Sequence, residues 1–196
     1  MKRGILTLTA VFLLVFSSNA QKVEFEEYDL NNGMHVILHQ DNAAPVVTVE
    51  IMYDVGSIDE EDGKTGMAHF YEHLLFTGTE NIPRGKWSEI QSARGGSGNA
   101  STSWDRTNYY QSFPSNELKL ALWMESDRMG HLLGVVDQEK LDEQRGVVQN
   151  EKRQGENQPY GKAFTRISES AFPNGHPYSW STIGSMDDLD AASLED

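Results

Sequence analysis

Residues 66 to 76 read Gly-Met-Ala-His-Phe-Tyr-Glu-His-Leu-Leu-Phe, and this segment limits what the chain can become. Leu74, Leu75 and Phe76 make it strongly apolar, so it is expected to pack inside the protein as a helix running from Met67 to Phe76, with Gly78 placed to end it. His69 and His73 are four residues apart and leave one face of such a helix about one turn from each other. A buried His-Glu-His cluster is costly unless something satisfies it, so the fold must bring a partner to that face. Two imidazoles at this spacing can share one tetrahedral zinc ion. Glu72, one residue before the second histidine, is placed to take a proton from water on the metal. The chain has no cysteine, which removes thiolate ligands, disulfides and cysteine nucleophiles and leaves His, Asp and Glu as metal donors.

A catalytic zinc takes three protein ligands and a water, so a third ligand has to come from elsewhere. The best candidate is Glu151, in Val147-Val148-Gln149-Asn150-Glu151. It lies four residues after Val147 and three after Val148, which predicts a place on the apolar side of its helix, where a carboxylate wants a cation. Glu143, eight residues earlier and turned by roughly 80°, is the weaker candidate.

With 196 residues, 38% of them hydrophobic, the chain can build one globular domain around a real core. Its net charge of −14 argues against a nucleic-acid partner, which requires a basic surface. Met1 to Ala20 reads as a signal peptide. Lys2 and Arg3 precede an apolar stretch from Ile5 to Phe16, and Ser18-Asn19-Ala20 supplies small residues for cleavage. The stretch is short for a bilayer span. The mature chain is therefore expected to be exported, periplasmic or secreted, with no membrane attachment after cleavage.

Along residues 21–196 the patterning predicts a hairpin from Val23 to Gln40 turning at Asn31-Asn32-Gly33, and a strand over Val46 to Tyr53. An acidic loop from Gly56 to Gly66 leads to the histidine helix. A short helix follows at Lys86 to Ala93, then strands at Asn99 to Ser103 and Thr107 to Phe113. Helices are expected over Asn116 to Met129, with Leu118, Leu122 and Met129 on one side, over Glu139 to Arg153, and over Gly161 to Ala171. Asp187 to Asp196 reads as the start of a further helix. The order implies an α+β domain with a largely antiparallel sheet covered by helices.

Several ordered motifs together resemble the pitrilysin/insulinase family of zinc peptidases, which carry an inverted H-x-x-E-H motif. They are Val55-Gly56-Ser57 with Glu60, Gly66 to Phe76 with Gly78-Thr79, Gly98-Asn99-Ala100-Ser101-Thr102, Thr107-Asn108-Tyr109-Tyr110, Val147 to Arg153, and His176-Pro177-Tyr178 with Ile183-Gly184. The resemblance implies that His69, His73 and Glu151 bind one zinc ion and that Glu72 is the general base of peptide-bond hydrolysis. It also implies that peptide or unfolded polypeptide lies along an edge strand at Asn99, Ala100, Ser101 and Thr102, where small residues leave room for an added strand. Many members place a second Glu seven residues before the metal-binding Glu. Here that position is Gln144, which can face the site without charge and orient His73 by a hydrogen bond. The resemblance further makes residues 21–196 the truncated amino-terminal part of a catalytic domain that works with a homologous second half, fused or separate.

A non-catalytic processing or scaffold subunit of the same fold is the alternative, but such relatives typically lose metal ligands that this chain keeps. Small thioether-cleaving enzymes with a similar helix use a cysteine, which is absent here. His35 and His39 are too far apart on a strand to chelate one ion. His131 suits a helix C-terminus, and His176, in a loop near the end, is a weak candidate for lining a cleft. Trp87, Trp104, Trp123 and Trp180 are expected to pack, and the loop Asp59 to Asp62 to be solvated rather than to bind calcium.

Overall fold

The computed structural model describes residues 22–196, and the expected signal peptide lies outside them. One compact unit ends at Ala44, and a second runs from Pro45 to Asp196. The first is a hairpin of β1 (Glu26–Asp29) and β2 (His35–Leu38), antiparallel with Asp29 opposite His35. Gly33, at φ 87°, makes its turn in a backbone region that favours glycine.

The second unit is built on a three-stranded antiparallel sheet of β3 (Val46–Tyr53), β4 (Ser97–Thr102) and β5 (Thr107–Pro114), in the order β3-β5-β4. Side chains alternate across the pleat. Val49, Tyr109, Gln111 and Phe113 turn inward and are buried, whereas Met52 and Tyr110 face away and stay exposed. Three helices pack on the sheet, α1 (Met67–Leu74), α2 (Lys86–Ala93) and α3 (Leu118–His131); α4 (Gln138–Glu156) packs on α1, α5 (Ala163–Ala171) follows it, and α6 (Met186–Ala191) packs on α4.

Beneath α2 and α3 the core gathers Val49, Ile82, Trp87, Phe113, Ala121 and Met124. Arg128 is 1% exposed, with its guanidinium against the rings of Phe76, Trp87 and Tyr109 and Glu125 at 3.6 Å. The sequence pattern misjudged α3. Leu118, Leu122 and Met129 are exposed, and the buried side carries Ala121, Met124, Glu125, Asp127 and Arg128. A charge paired within a cage of rings can take the place of an aliphatic stripe, and hydrophobic periodicity is blind to that. Trp123 is likewise 45% exposed rather than packed.

A second core cluster fixes the geometry that matters for function. Phe70 and Leu74 of α1 pack with Leu141 and Val148 of α4 and with Leu189 and Ala192. Histidine and glutamate on the other faces of α1 and α4 are thereby brought opposite each other. α6 ends at Ala191, because Ala192 turns to φ −58°, ψ 134°, so the expected run of helix through Asp196 stops inside the chain.

Phe70 is fully buried at the α1–α4 seam. Phe70→Ala is expected to cost about 3–5 kcal/mol of stability, measured by urea unfolding, because it removes ring burial and leaves a cavity. A loss under about 1 kcal/mol would contradict the importance given to this seam.

Candidate metal centre

α1 begins at Gly66, whose φ of 90° is left-handed and whose Cα lies so close to the backbone of Ile183 that a Cβ would stand 2.7 Å from its carbonyl oxygen. Glycine is required there on both counts. No side chain at the N-cap itself satisfies the first turn. Instead the Glu60 carboxylate reaches back from the preceding loop and accepts from Gly66 N and Ala68 N, each at 2.9 Å, and from Trp180 Nε1 at 3.0 Å. A carboxylate at this end of a helix also meets the favourable end of its dipole. Burial pushes the Glu60 carboxyl above the usual carboxylate range, and the backbone hydrogen bonds partly offset that. The acidic loop is therefore not simply solvated: one of its members holds the histidine helix in place.

His69, Glu72 and His73 open onto a cleft of about 750 Å³, which is also lined by Asn99, Ala100, Ser101 and Thr102 of β4 and by Gln144 and Glu151 of α4. The favoured site candidates thus face one space, whereas the weaker candidate Glu143 does not line it. A second cavity of about 670 Å³ lies against Met67, Ala68, Tyr71 and Leu75, the other side of α1, and neither imidazole lines it.

The two imidazoles lie edge to face with centroids 4.7 Å apart. His73 Nε2 is 3.3 Å and His69 Nε2 3.8 Å from Glu151 Oε2. One donor atom from each of the three residues lies within 4.8 Å of the others. Two donors about 2.1 Å from a tetrahedral zinc stand about 3.4 Å apart, so the spacing suits a single ion. The donor set, two imidazoles and a carboxylate with no thiolate, is also one that zinc accepts. Burial, then the neighbouring His73, hold the His69 imidazole below its ordinary pKa, in the neutral form that a metal ligand needs. His69 Nδ1 is buried and has no hydrogen-bond partner among the described residues.

Glu151 reaches this position from the cleft side of α4 rather than from its apolar side. Val148 is fully buried, whereas Val147 and the Glu151 side chain are 43% and 52% exposed. Glu143 is engaged elsewhere, in an ion pair with Arg84. Gln144 lines the cleft, but among the described residues no hydrogen bond joins it to His73. Glu72 is 8% exposed, and its Oε2 accepts from Thr102 Oγ1 at 2.5 Å. Burial raises the Glu72 carboxyl above its ordinary range, and the Thr102 hydrogen bond works in the opposite direction. Among the described residues β4 pairs with β5 alone and is an edge strand of its sheet.

Sequence reasoning missed two features around this cleft. Glu60 acts across a loop, and no helical or strand period links it to α1. An aromatic cluster also forms just past the end of β4, where Trp104 stacks on Tyr178 with centroids 4.8 Å apart and on Phe164 at 5.7 Å. His176 stacks on Phe172 within the same group and does not line the cleft. The other histidines have local partners: His35 meets Asp29 at 2.8 Å, His39 the carbonyl of Glu24 at 2.6 Å, and His131 Glu80 at 3.0 Å.

Residues 35–184 match the family described as Insulinase (Peptidase family M16), and the chain belongs to it. M16 is a family of zinc metallopeptidases. Among its relatives, the zinc protease PqqE of Helicobacter pylori is 33% identical over an alignment of 199 residues, covering 99% of this chain and 44% of that protein. The insulin-degrading enzyme of Bos taurus is 29% identical over 168 residues, 84% of this chain and 16% of the relative. A protease from Helicobacter pylori of known structure superposes with a TM-score of 0.84 at 35% identity, covering 90% of this chain and 42% of that one. Pitrilysin superposes at 0.74 with 25% identity, over 88% and 18% of the two chains. The chain thus spans less than half the length of each of these proteins.

Glu60→Ala is expected to lower stability by about 1–2 kcal/mol in urea unfolding, the usual consequence of losing a helix N-terminal acceptor. It is also expected to weaken zinc binding, because α1 carries both imidazoles. Unchanged stability and unchanged zinc affinity would show that the helix does not need this carboxylate.

Proposed function

We propose that this chain is the metal-binding part of an exported zinc-dependent peptidase, in which His69, His73 and Glu151 hold the ion and Glu72 is the general base. The observation that carries this reading is the meeting of two Nε2 atoms from α1 and one carboxylate oxygen from α4, with Glu72 on the same helix and in the same cleft. Membership of a zinc metallopeptidase family supports it. A zinc ion bound there supplies Lewis acidity, polarising the scissile carbonyl and making water easier to deprotonate.

The rest of the chemistry belongs to the chain. Glu72 takes the proton of the attacking water on a carboxylate oxygen and hands it to the departing amine. Its burial favours the protonated carboxyl, which suits a group that must hold that proton between two steps. The free edge of β4 offers backbone N–H and C=O groups to an extended peptide, so that Asn99 to Thr102 bind it as an added strand without demanding particular side chains. Gln144 stands in the cleft wall as an uncharged neighbour of the site. In this reading the substrate is a peptide or unfolded polypeptide, and a homologous second half, fused or separate, completes the cleft. Export rests on the leader-like Met1 to Ala20; no helix of the described residues is long and apolar enough to cross a membrane.

In the full-length protein, Glu72→Gln is expected to bind zinc as the wild type does and to lose about 10²- to 10⁴-fold in peptide hydrolysis, the range for removing a general base. Glu151→Gln is expected to lose zinc affinity first. Metal analysis beside a fluorogenic peptide assay separates the two, and undiminished hydrolysis by Glu72→Gln would refute the role assigned to that residue.

A further inference from the structure

Thr102 was singled out for its backbone, yet its side chain does something separate. It occupies the last position of β4, directly opposite Thr107 in the register, so the two side chains share one face of the sheet. Thr107 Oγ1 donates to Val55 O at 3.0 Å and lies 3.3 Å from Thr102 Oγ1. Thr107, whose one hydroxyl proton is shared between Val55 O and the more distant Thr102 Oγ1, leaves the Thr102 proton free to go elsewhere. Glu72 Oε2 offers a carboxylate oxygen at 2.5 Å. The nearer partner wins, because the contact to Glu72 at 2.5 Å is a short hydrogen bond and the one to Thr107 at 3.3 Å a long one.

We propose that Thr102 is a positioning residue for Glu72: its hydroxyl holds Oε2, fixes the carboxylate plane, and leaves Oε1 directed to the water that Glu72 deprotonates. The inference rests on the function proposed for Glu72. It links the strand that receives the peptide to the base that acts on it, since one residue offers its backbone to the substrate and its side chain to the carboxylate. A shift of that strand on peptide binding is felt at Glu72 through a single hydrogen bond.

The two roles of Thr102 separate experimentally. Thr102→Val keeps the backbone and the β-branched shape and removes the donor. In the full-length, zinc-loaded protein its kcat is expected to fall about 10- to 100-fold, as loss of one hydrogen bond to a charged group implies. KM and zinc affinity are expected to stay within about twofold of wild type, and Thr102→Ser to regain most of the rate. A readout independent of turnover is the urea midpoint of the metal-free protein. Thr102→Val is expected to lower it when Glu72 is present and to shift it far less in a Glu72→Ala background, the signature of direct coupling.

Equal shifts in both backgrounds, or a Thr102→Val enzyme with wild-type kcat, would overturn the inference. Should the valine variant not fold, Thr102→Ala and Thr102→Ser carry the same comparison. A wild-type protein that hydrolyses no peptide, or a Glu72→Gln variant that still does, would instead defeat the function proposed for the site, and the two failures are distinguishable.

Discussion

The seam between α1 and α4 is what the rest of the site depends on. Phe70 and Leu74 press against Leu141 and Val148 in a cluster that excludes water, and they set the separation and rotation of the two helices. Metal-ligating side chains reach only a few ångströms from their backbones, so an error of one helical step at this seam would part Glu151 from the imidazoles. The polar chemistry on one side of α1 is thus held in register by the apolar packing on the other. Helix position is fixed at the N-terminal end as well, through Glu60 and the close approach of Gly66 to Ile183.

In the proposed reading the cleft combines three functions on three elements. α1 supplies two imidazoles and a carboxylate, α4 the third donor, and β4 an open strand edge beside them. Strand edges are liabilities when nothing pairs with them. This one is short, carries small side chains and faces the cleft, which makes it suited to a transient guest strand. Burial acts on two of these groups: it lowers the pKa of the His69 imidazole and raises that of the Glu72 carboxyl.

Much of this was legible in the sequence, because the responsible features are local or periodic. The four-residue interval between His69 and His73 fixes their common face, and β-branched runs with turn residues mark β3 and the β4–β5 hairpin. What escaped notice depends on distant parts of the chain. α3 looked amphipathic through Leu118, Leu122 and Met129, but the sheet instead received Arg128 under a cage of aromatic rings drawn from three other segments. Glu151 was expected from the apolar side of its helix and came from the cleft side. Its carboxylate does meet the two imidazoles, but the apolar-face argument does not explain that, since Val147 is itself exposed. Glu60 stands in one of the family-like motifs, but nothing in its immediate neighbours marks it as the partner of a helix six residues on.

The central claim, that two imidazoles and one carboxylate close on a single ion, is tested most directly by X-ray absorption at the zinc edge of the zinc-loaded protein. The account expects one zinc per chain, with imidazole scattering from two histidines and oxygen donors at roughly 2.0–2.2 Å. A shell of oxygens alone, or one histidine in place of two, would contradict it.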